Sequence, residues 1–121
     1  MAELDWLKRQ FSLEGKRVLV TGASRGIGQS LAVGFARAGA DLVIAARQVS
    51  SLDETADRIR ATGSSVSCVA CDQSDVSAIR NSLGSLGALD VLVNNAGVED
   101  VCPSLDVTEE LWSKIVDTNL K

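Results

Sequence analysis

The stretch Arg17–Ala40, "RVLVTGASRGIGQSLAVGFARAGA", decides how this chain folds. It opens with the apolar run "RVLVT" (17–21) and passes through Gly22, Gly26 and Gly28. Ile27, Leu31, Gly34, Phe35 and Ala38 then recur at helical spacing until Gly39 stops the pattern. An apolar run bounded by turn signals reads as a buried strand, and a 3.6-residue period reads as a helix. Two motifs overlap in the loop between them. Gly22-Ala23-Ser24-Arg25-Gly26 fits G-x-S-x-G, the nucleophile elbow of hydrolases. The same glycines fit a loop shaped to hold phosphates. The elbow needs a general base, usually histidine, and the chain has none. It would also follow a strand deep in a sheet, whereas this strand is the first. The cradle accounts for more residues. Gly22 allows the sharp turn, and Gly26 and Gly28 let the backbone approach a pyrophosphate beside a helix N-terminus. A P-loop is excluded because no Gly-Lys-Ser/Thr follows. Ser24 is therefore assigned to the cradle, where its hydroxyl or backbone bonds a ribose or phosphate.

Outward from this unit the pattern repeats. "DLVIAA" (41–46), "SVSCVAC" (65–71) and "LDVLVN" (89–94) read as three more buried strands. Ser51 with Glu54 predicts a capping box for a helix running to about Thr62, with Leu52, Ala56 and Ile59 as its apolar face. Ser74 is the expected cap of a helix bearing Val76, Ile79, Leu83 and Leu86. Thr108 is the expected cap of a last helix, with Glu109 and Glu110 in its first turn and the pattern still running at Lys121. Residues 1–14 form an amphipathic lead-in, with Leu4, Trp6, Leu7, Phe11 and Leu13 among charges. Residues 15–121 form a βαβαβαβα unit. Alternating strands and helices, with strands apolar throughout, specify a doubly wound parallel α/β sheet of the Rossmann type. Right-handed crossovers give the strand order 3-2-1-4. The crevice at the switch point, between strands 1 and 4, then receives both the glycine loop and "NNAG" (94–97).

The totals exclude several classes. The chain has 121 residues, one domain's length, with 45% hydrophobic and 23% charged residues and a net charge of −4. An acidic balance argues against nucleic acid or an anionic membrane surface as partner. No apolar run approaches a membrane span and no signal-peptide core is present, so a cytoplasmic setting is expected. Cys68 and Cys71 match C-x-x-C. With no second pair and no histidine, a zinc site lacks its other ligands, and no metal is expected. Residues three apart in a strand also face opposite sides of a sheet, so both read as small buried hydrophobes.

"TGASRGIG" (21–28), "NNAG" (94–97), Asp72 after the third strand and "DTNLK" (117–121) together resemble the short-chain dehydrogenase/reductase family over residues 14–121. The resemblance implies a dinucleotide held by Gly22, Ala23, Ser24, Arg25, Gly26, Ile27 and Gly28. It places Asp72 and Gln73 against the adenine, and Asn95, Ala96 and Gly97 along the ribose and nicotinamide, with Asn94 pinning the sheet. Asn119 matches the family's catalytic asparagine, which holds a water in a proton relay. At the end of strand 2, where an acid would grip the ribose of NAD, this chain has Ala46 followed by Arg47. Arg47 and Arg25 suit a 2′-phosphate, so NADP(H) is expected over NAD(H).

The family's chemistry is hydride transfer between nicotinamide and a small-molecule carbonyl or alcohol, with a tyrosine, a lysine and a serine in the machinery. The chain contains no tyrosine, Lys121 does not match that lysine, and Ser24 is not that serine. Family members are about twice this length. The chain therefore reads as the truncated, cofactor-binding N-terminal half of an NADP(H)-dependent oxidoreductase. The alternative is a non-catalytic dinucleotide-binding module or inactive fragment. "TGASRGIG" is also similar to the 3-oxoacyl-carrier-protein reductases, but many relatives share it and the substrate stays open. The resemblance further implies a homo-oligomer. The fourth strand, apolar and without a neighbour on its far side, predicts that the isolated chain is marginally stable and associates.

Overall fold

The computed structural model describes residues 2–120. Four parallel strands form one sheet in the order β3-β2-β1-β4: β1 (Arg17–Thr21), β2 (Asp41–Ala46), β3 (Val66–Ala70) and β4 (Val91–Val93). Along the helix-bearing connections run α1 (Ala2–Phe11), α2 (Gly26–Arg37), α3 (Asp53–Arg60), α4 (Val76–Leu83) and α5 (Glu109–Asn119). The expected strand order holds, and β1 and β2 have the bounds read from the sequence. The third and fourth strands are shorter than "SVSCVAC" and "LDVLVN", because only their central residues pair.

The register explains why the strands are apolar without alternation. Val18, Leu19 and Val20 pair with Leu42, Val43 and Ile44 on one side and with Val91, Leu92 and Val93 on the other. Both faces of β1 and β2 are covered. Val18, Val20, Leu42 and Ile44 pack with Ala32 and Ala36 of α2 and Ala56 and Ile59 of α3. Leu19, Val43, Ala45 and Cys71 meet Ile79, Leu83, Leu86 and Leu89 on the opposite face. Leu52 and Ile59 are fully buried, and each side chain contributes about 1.5–3 kcal/mol by leaving water. Cys68 packs in the first layer and Cys71 in the second, and both are free thiols. The opposed facing expected of the C-x-x-C pair is thus present.

Four local expectations are corrected. The buried stripe of α2 is Gly28, Ala32 and Ala36, whereas Ile27 and Leu31 lie exposed. Small residues let this helix lie close to the sheet, so Ile27 and Leu31 turn outward while Val33 and Phe35 pack at the edge of the core. The Ser51–Glu54 capping box does not form: the chain enters α3 through a 3-10 turn (Val49–Leu52), and the Ser51 hydroxyl donates to the Gln48 carbonyl at 2.6 Å. Ser74 does not cap α4. Asp75 does, accepting the N–H groups of Ser77 and Ala78, while the Ser74 hydroxyl donates to Asp72. The last helix stops at Asn119 instead of running on, with the Leu120 N–H on the Val116 carbonyl, and Lys121 lies outside the described residues. At its other end the expected cap holds: Thr108 Oγ1 accepts the Leu111 N–H at 3.1 Å.

Apolar side chains reach solvent on β4 and on α1, among other places. Among the described residues β4 pairs only with β1, and Leu92 is 53% exposed. No residue of α1 is buried, and Trp6 and Phe11 lie in solvent. The lead-in is tied to the C-terminal end of α2, where the Leu13 N–H donates to the Ala38 carbonyl at 2.7 Å and Leu13 packs on the core.

Candidate functional site

A crevice of about 840 Å³ opens beyond the carboxyl ends of the strands. That is the position in which open α/β sheets place ligands, and the size is that of a cofactor pocket. The loop after β1 supplies Gly22, Ser24, Arg25, Gly26 and Ile27. The end of β2 supplies Ala46 and Arg47, the end of β3 Asp72 and Gln73, and the loop after β4 Asn95, Ala96 and Gly97. Every residue assigned to the dinucleotide from the sequence lines this crevice except Ala23 and Gly28, which are buried beneath it.

Glycine at two positions is dictated by the close approach of the two loops. Gly22 has φ 63°, and a Cβ there would stand 2.8 Å from the Ala96 Cα. A Cβ on Gly28 would overlap the Gly22 carbonyl oxygen and the Asn95 side-chain amide. The start of α2 can therefore fold tightly under its own entry loop only with glycine at Gly28.

Three polar residues fix the loops. Thr21, buried at the end of β1, receives the Asn95 and Ala96 N–H groups on its hydroxyl at 3.1 and 3.0 Å, and donates to the Val93 carbonyl at 3.3 Å. Asn95 Nδ2 donates to the Thr21 and Gly22 carbonyls at 3.1 and 3.0 Å. The pinning expected of Asn94 thus falls to Asn95; Asn94 is exposed, on the same open face as Leu92. Thr55 of α3, wholly buried, donates to the Ala23 carbonyl at 2.8 Å and accepts from Gln29 Nε2 at 2.9 Å. The sequence reading missed Thr21 and Thr55. Each is a polar residue in an otherwise apolar run or face, and a buried polar group needs a partner.

The charged groups sit at the rim. Asp72 Oδ1 accepts from the Ser74 hydroxyl at 2.6 Å and the Ser74 N–H at 2.9 Å. These bonds, helped by the nearby Arg47 guanidinium, hold its carboxyl below the usual range. Burial pushes the Cys71 thiol up, and Gln73 Nε2 donates to its sulfur at 3.3 Å. Asn119 lies beside the crevice rather than in its wall. Its Oδ1 accepts the Val98 N–H at 2.9 Å and its Nδ2 donates to the Val98 carbonyl at 2.8 Å. Val98 and Thr118 line the crevice next to it. Among the described residues no cluster of histidine, cysteine and acidic side chains could hold a metal, and no helix is long and apolar enough to cross a membrane.

Comparison with known proteins agrees with this geometry. The family described as short chain dehydrogenase matches residues 16–121, and the chain belongs to that family of oxidoreductases. The gluconate 5-dehydrogenase of Gluconobacter oxydans is 39% identical over 114 residues, covering 91% of this chain and 44% of that protein. A candidate short-chain alcohol dehydrogenase from Sinorhizobium meliloti 1021 superposes with a TM-score of 0.83 at 54% identity, over 91% of this chain and 45% of that one. A candidate 2-deoxy-D-gluconate 3-dehydrogenase from Agrobacterium tumefaciens, solved with bound NADP, superposes with a TM-score of 0.82 at 43% identity, over 91% of this chain and 44% of that one. The chain spans less than half the length of these relatives.

Proposed function

We propose that residues 15–121 are the NADP(H)-binding half-domain of an oxidoreductase that reduces a carbonyl or oxidises an alcohol on a small molecule, with residues 1–14 an appended lead-in. The observation that carries the cofactor choice is the pair of guanidinium groups on one crevice. Arg47 follows Ala46 at the end of β2, and Arg25 stands in the glycine loop across from it. An acid at that strand end would favour a ribose hydroxyl, whereas cations favour a 2′-phosphate. The loop has room for a phosphate: apart from its chain neighbours and the backbone of α2, no protein atom stands within 4 Å of where a side chain on Gly26 would begin. The NADP in the Agrobacterium tumefaciens relative supports the same reading.

In this reading Gly22, Ser24, Arg25, Gly26 and Ile27 hold the diphosphate and ribose, with Ala23 and Gly28 shaping the loop from below. Asp72 and Gln73 face the adenine, and Asn95, Ala96 and Gly97 the ribose and nicotinamide. The cofactor supplies the hydride chemistry. Asn119 belongs to a proton relay, and the chain's own sequence contains no tyrosine to serve as the family's proton donor. The oxidoreductase works as a homo-oligomer.

Fluorescence titration with NADPH and NADH tests the cofactor choice. NADPH binds at least tenfold more tightly, and Arg47→Asp erases or reverses the preference, since a charge-assisted bond to phosphate is worth about 1.5–3 kcal/mol. Equal affinities in the unaltered chain would overturn it.

A further inference from the structure

The glycine loop is held from behind by two residues that do not touch the crevice as donors. Thr55 has no exposed surface, and it sits on α3 between Leu52 and Ile59, where the apolar face calls for a hydrophobe. Its hydroxyl makes a full set of bonds instead. It donates to the Ala23 carbonyl at 2.8 Å and accepts from Gln29 Nε2 at 2.9 Å. The same Gln29 amide reaches the Ser24 carbonyl at 3.3 Å. The Ala23 N–H is already committed to the Ala45 carbonyl at 3.2 Å, as a continuation of the β1–β2 ladder. Two successive carbonyl oxygens of the loop are thus engaged by side chains of α2 and α3.

The consequence is electrostatic. Carbonyl oxygens turned toward an anion repel it, and peptide N–H groups attract it. The first bond inside α2 runs from the Gln29 N–H to the Arg25 carbonyl, so the donors before Gln29 have no partner within the helix. Rotating the Ala23 or Ser24 peptide would bring an acceptor among those donors. A bond to a buried hydroxyl fixes that rotation more firmly than packing against a methyl group would.

We propose that Thr55 and Gln29 are positioning residues for anion binding: by holding the Ala23 and Ser24 carbonyls away from the crevice, they keep the loop's donors aimed at the cofactor's diphosphate. This rests on the dinucleotide reading of the crevice. A mispositioned loop weakens ligands that carry a diphosphate and leaves alone those that carry only the adenosine part.

The test is a titration of the chain with NADPH and, separately, with adenosine 2′-monophosphate, which lacks the diphosphate. Thr55→Val keeps the side-chain shape and removes the hydroxyl. NADPH affinity falls about tenfold, because the Ala23 peptide, released from its hydroxyl donor, can turn its carbonyl toward the diphosphate. Adenosine 2′-monophosphate changes less than twofold, and Thr55→Ser restores NADPH binding. Gln29→Leu, at a half-buried helical position, gives a second variant that keeps the Thr55–Ala23 bond and also weakens NADPH. Unchanged NADPH binding in both variants overturns the inference. An equal loss of both ligands overturns it too, because that is the mark of general unfolding. Absence of binding of either ligand to the unaltered chain removes the dinucleotide reading itself, and the inference with it.

Discussion

Thr21 and Asn95 bind each other twice: the Thr21 hydroxyl accepts the Asn95 backbone N–H at 3.1 Å, and the Asn95 side-chain amide donates to the Thr21 carbonyl at 3.1 Å. The two residues are 74 positions apart, at the carboxyl ends of adjacent strands. The pair continues the β1–β4 ladder with side chains after β4 has stopped pairing at Val93. It sets the separation of the two loops that form the crevice at the switch point.

Thr21→Val should show this directly. The substitution keeps the shape but leaves the Ala96 N–H without its acceptor and the Asn95 N–H with the Val93 carbonyl alone, at a site where Thr21 is only 2% exposed. Unpaired buried donors cost about 1–3 kcal/mol, so urea denaturation should report a loss of about 2 kcal/mol. Thr21→Ser keeps the acceptor and removes one methyl group, for about 1 kcal/mol or less. A valine variant more stable than the serine variant would show that packing at this position outweighs the staple.

The strand order and the crevice were legible because a doubly wound sheet needs continuous apolar runs, and four of them alternate with helical periods. The glycine loop and "NNAG" then fall together by topology alone. Caps were less legible, because competing partners are invisible in one dimension. Ser74 resembles a cap, yet its hydroxyl serves Asp72, and Asp75 takes the helix start. The inner stripe of α2 was misread for a different reason. Helical periodicity ranks positions by hydrophobicity, but the closest approach to the sheet selects small residues, so Ala32 and Ala36 are buried while Ile27 lies at the crevice. Neither Asn95's grip on β1 nor Thr55's on the loop carries a periodic signal. Each is set by contacts across 26 or more positions of chain.

Gly28 and Gly34, both in α2, should respond oppositely to alanine. At Gly28 the added methyl meets the Gly22 carbonyl oxygen and the Asn95 amide, neither of which can retreat without opening the loop. Overpacking of this kind costs about 1–3 kcal/mol, and NADPH binding should fall with it. At Gly34 nothing outside the helix's own backbone lies within 4 Å of the new methyl group. Alanine there should stabilise the helix by about 0.5–1 kcal/mol and leave cofactor affinity unchanged. Thermal melts and a cofactor titration on the two variants check both halves. Equal behaviour of the two would refute the close approach of α2 to its entry loop.

Asp72 makes the site's pH dependence an acid-side matter. The Ser74 hydroxyl and N–H, with Arg47 nearby, lower its carboxyl below the ordinary value of 3.8. A carboxyl lowered by folding stabilises the folded chain above its unfolded pKa, and that contribution disappears as pH falls through the folded one. The melting-temperature difference between the unaltered chain and Asp72→Asn should therefore be constant from about pH 8 to 5 and shrink only below about pH 4. In the proposed complex the adenine amine needs an ionised acceptor, so the Asp72 contribution to NADPH binding should be flat over the same range. Removing the hydroxyl that donates to it, by Ser74→Ala, should move the Asp72 titration upward toward its ordinary value in a carbon-detected NMR experiment. A midpoint at or above 3.8 in the unaltered chain would show that the two Ser74 bonds do not govern this carboxylate.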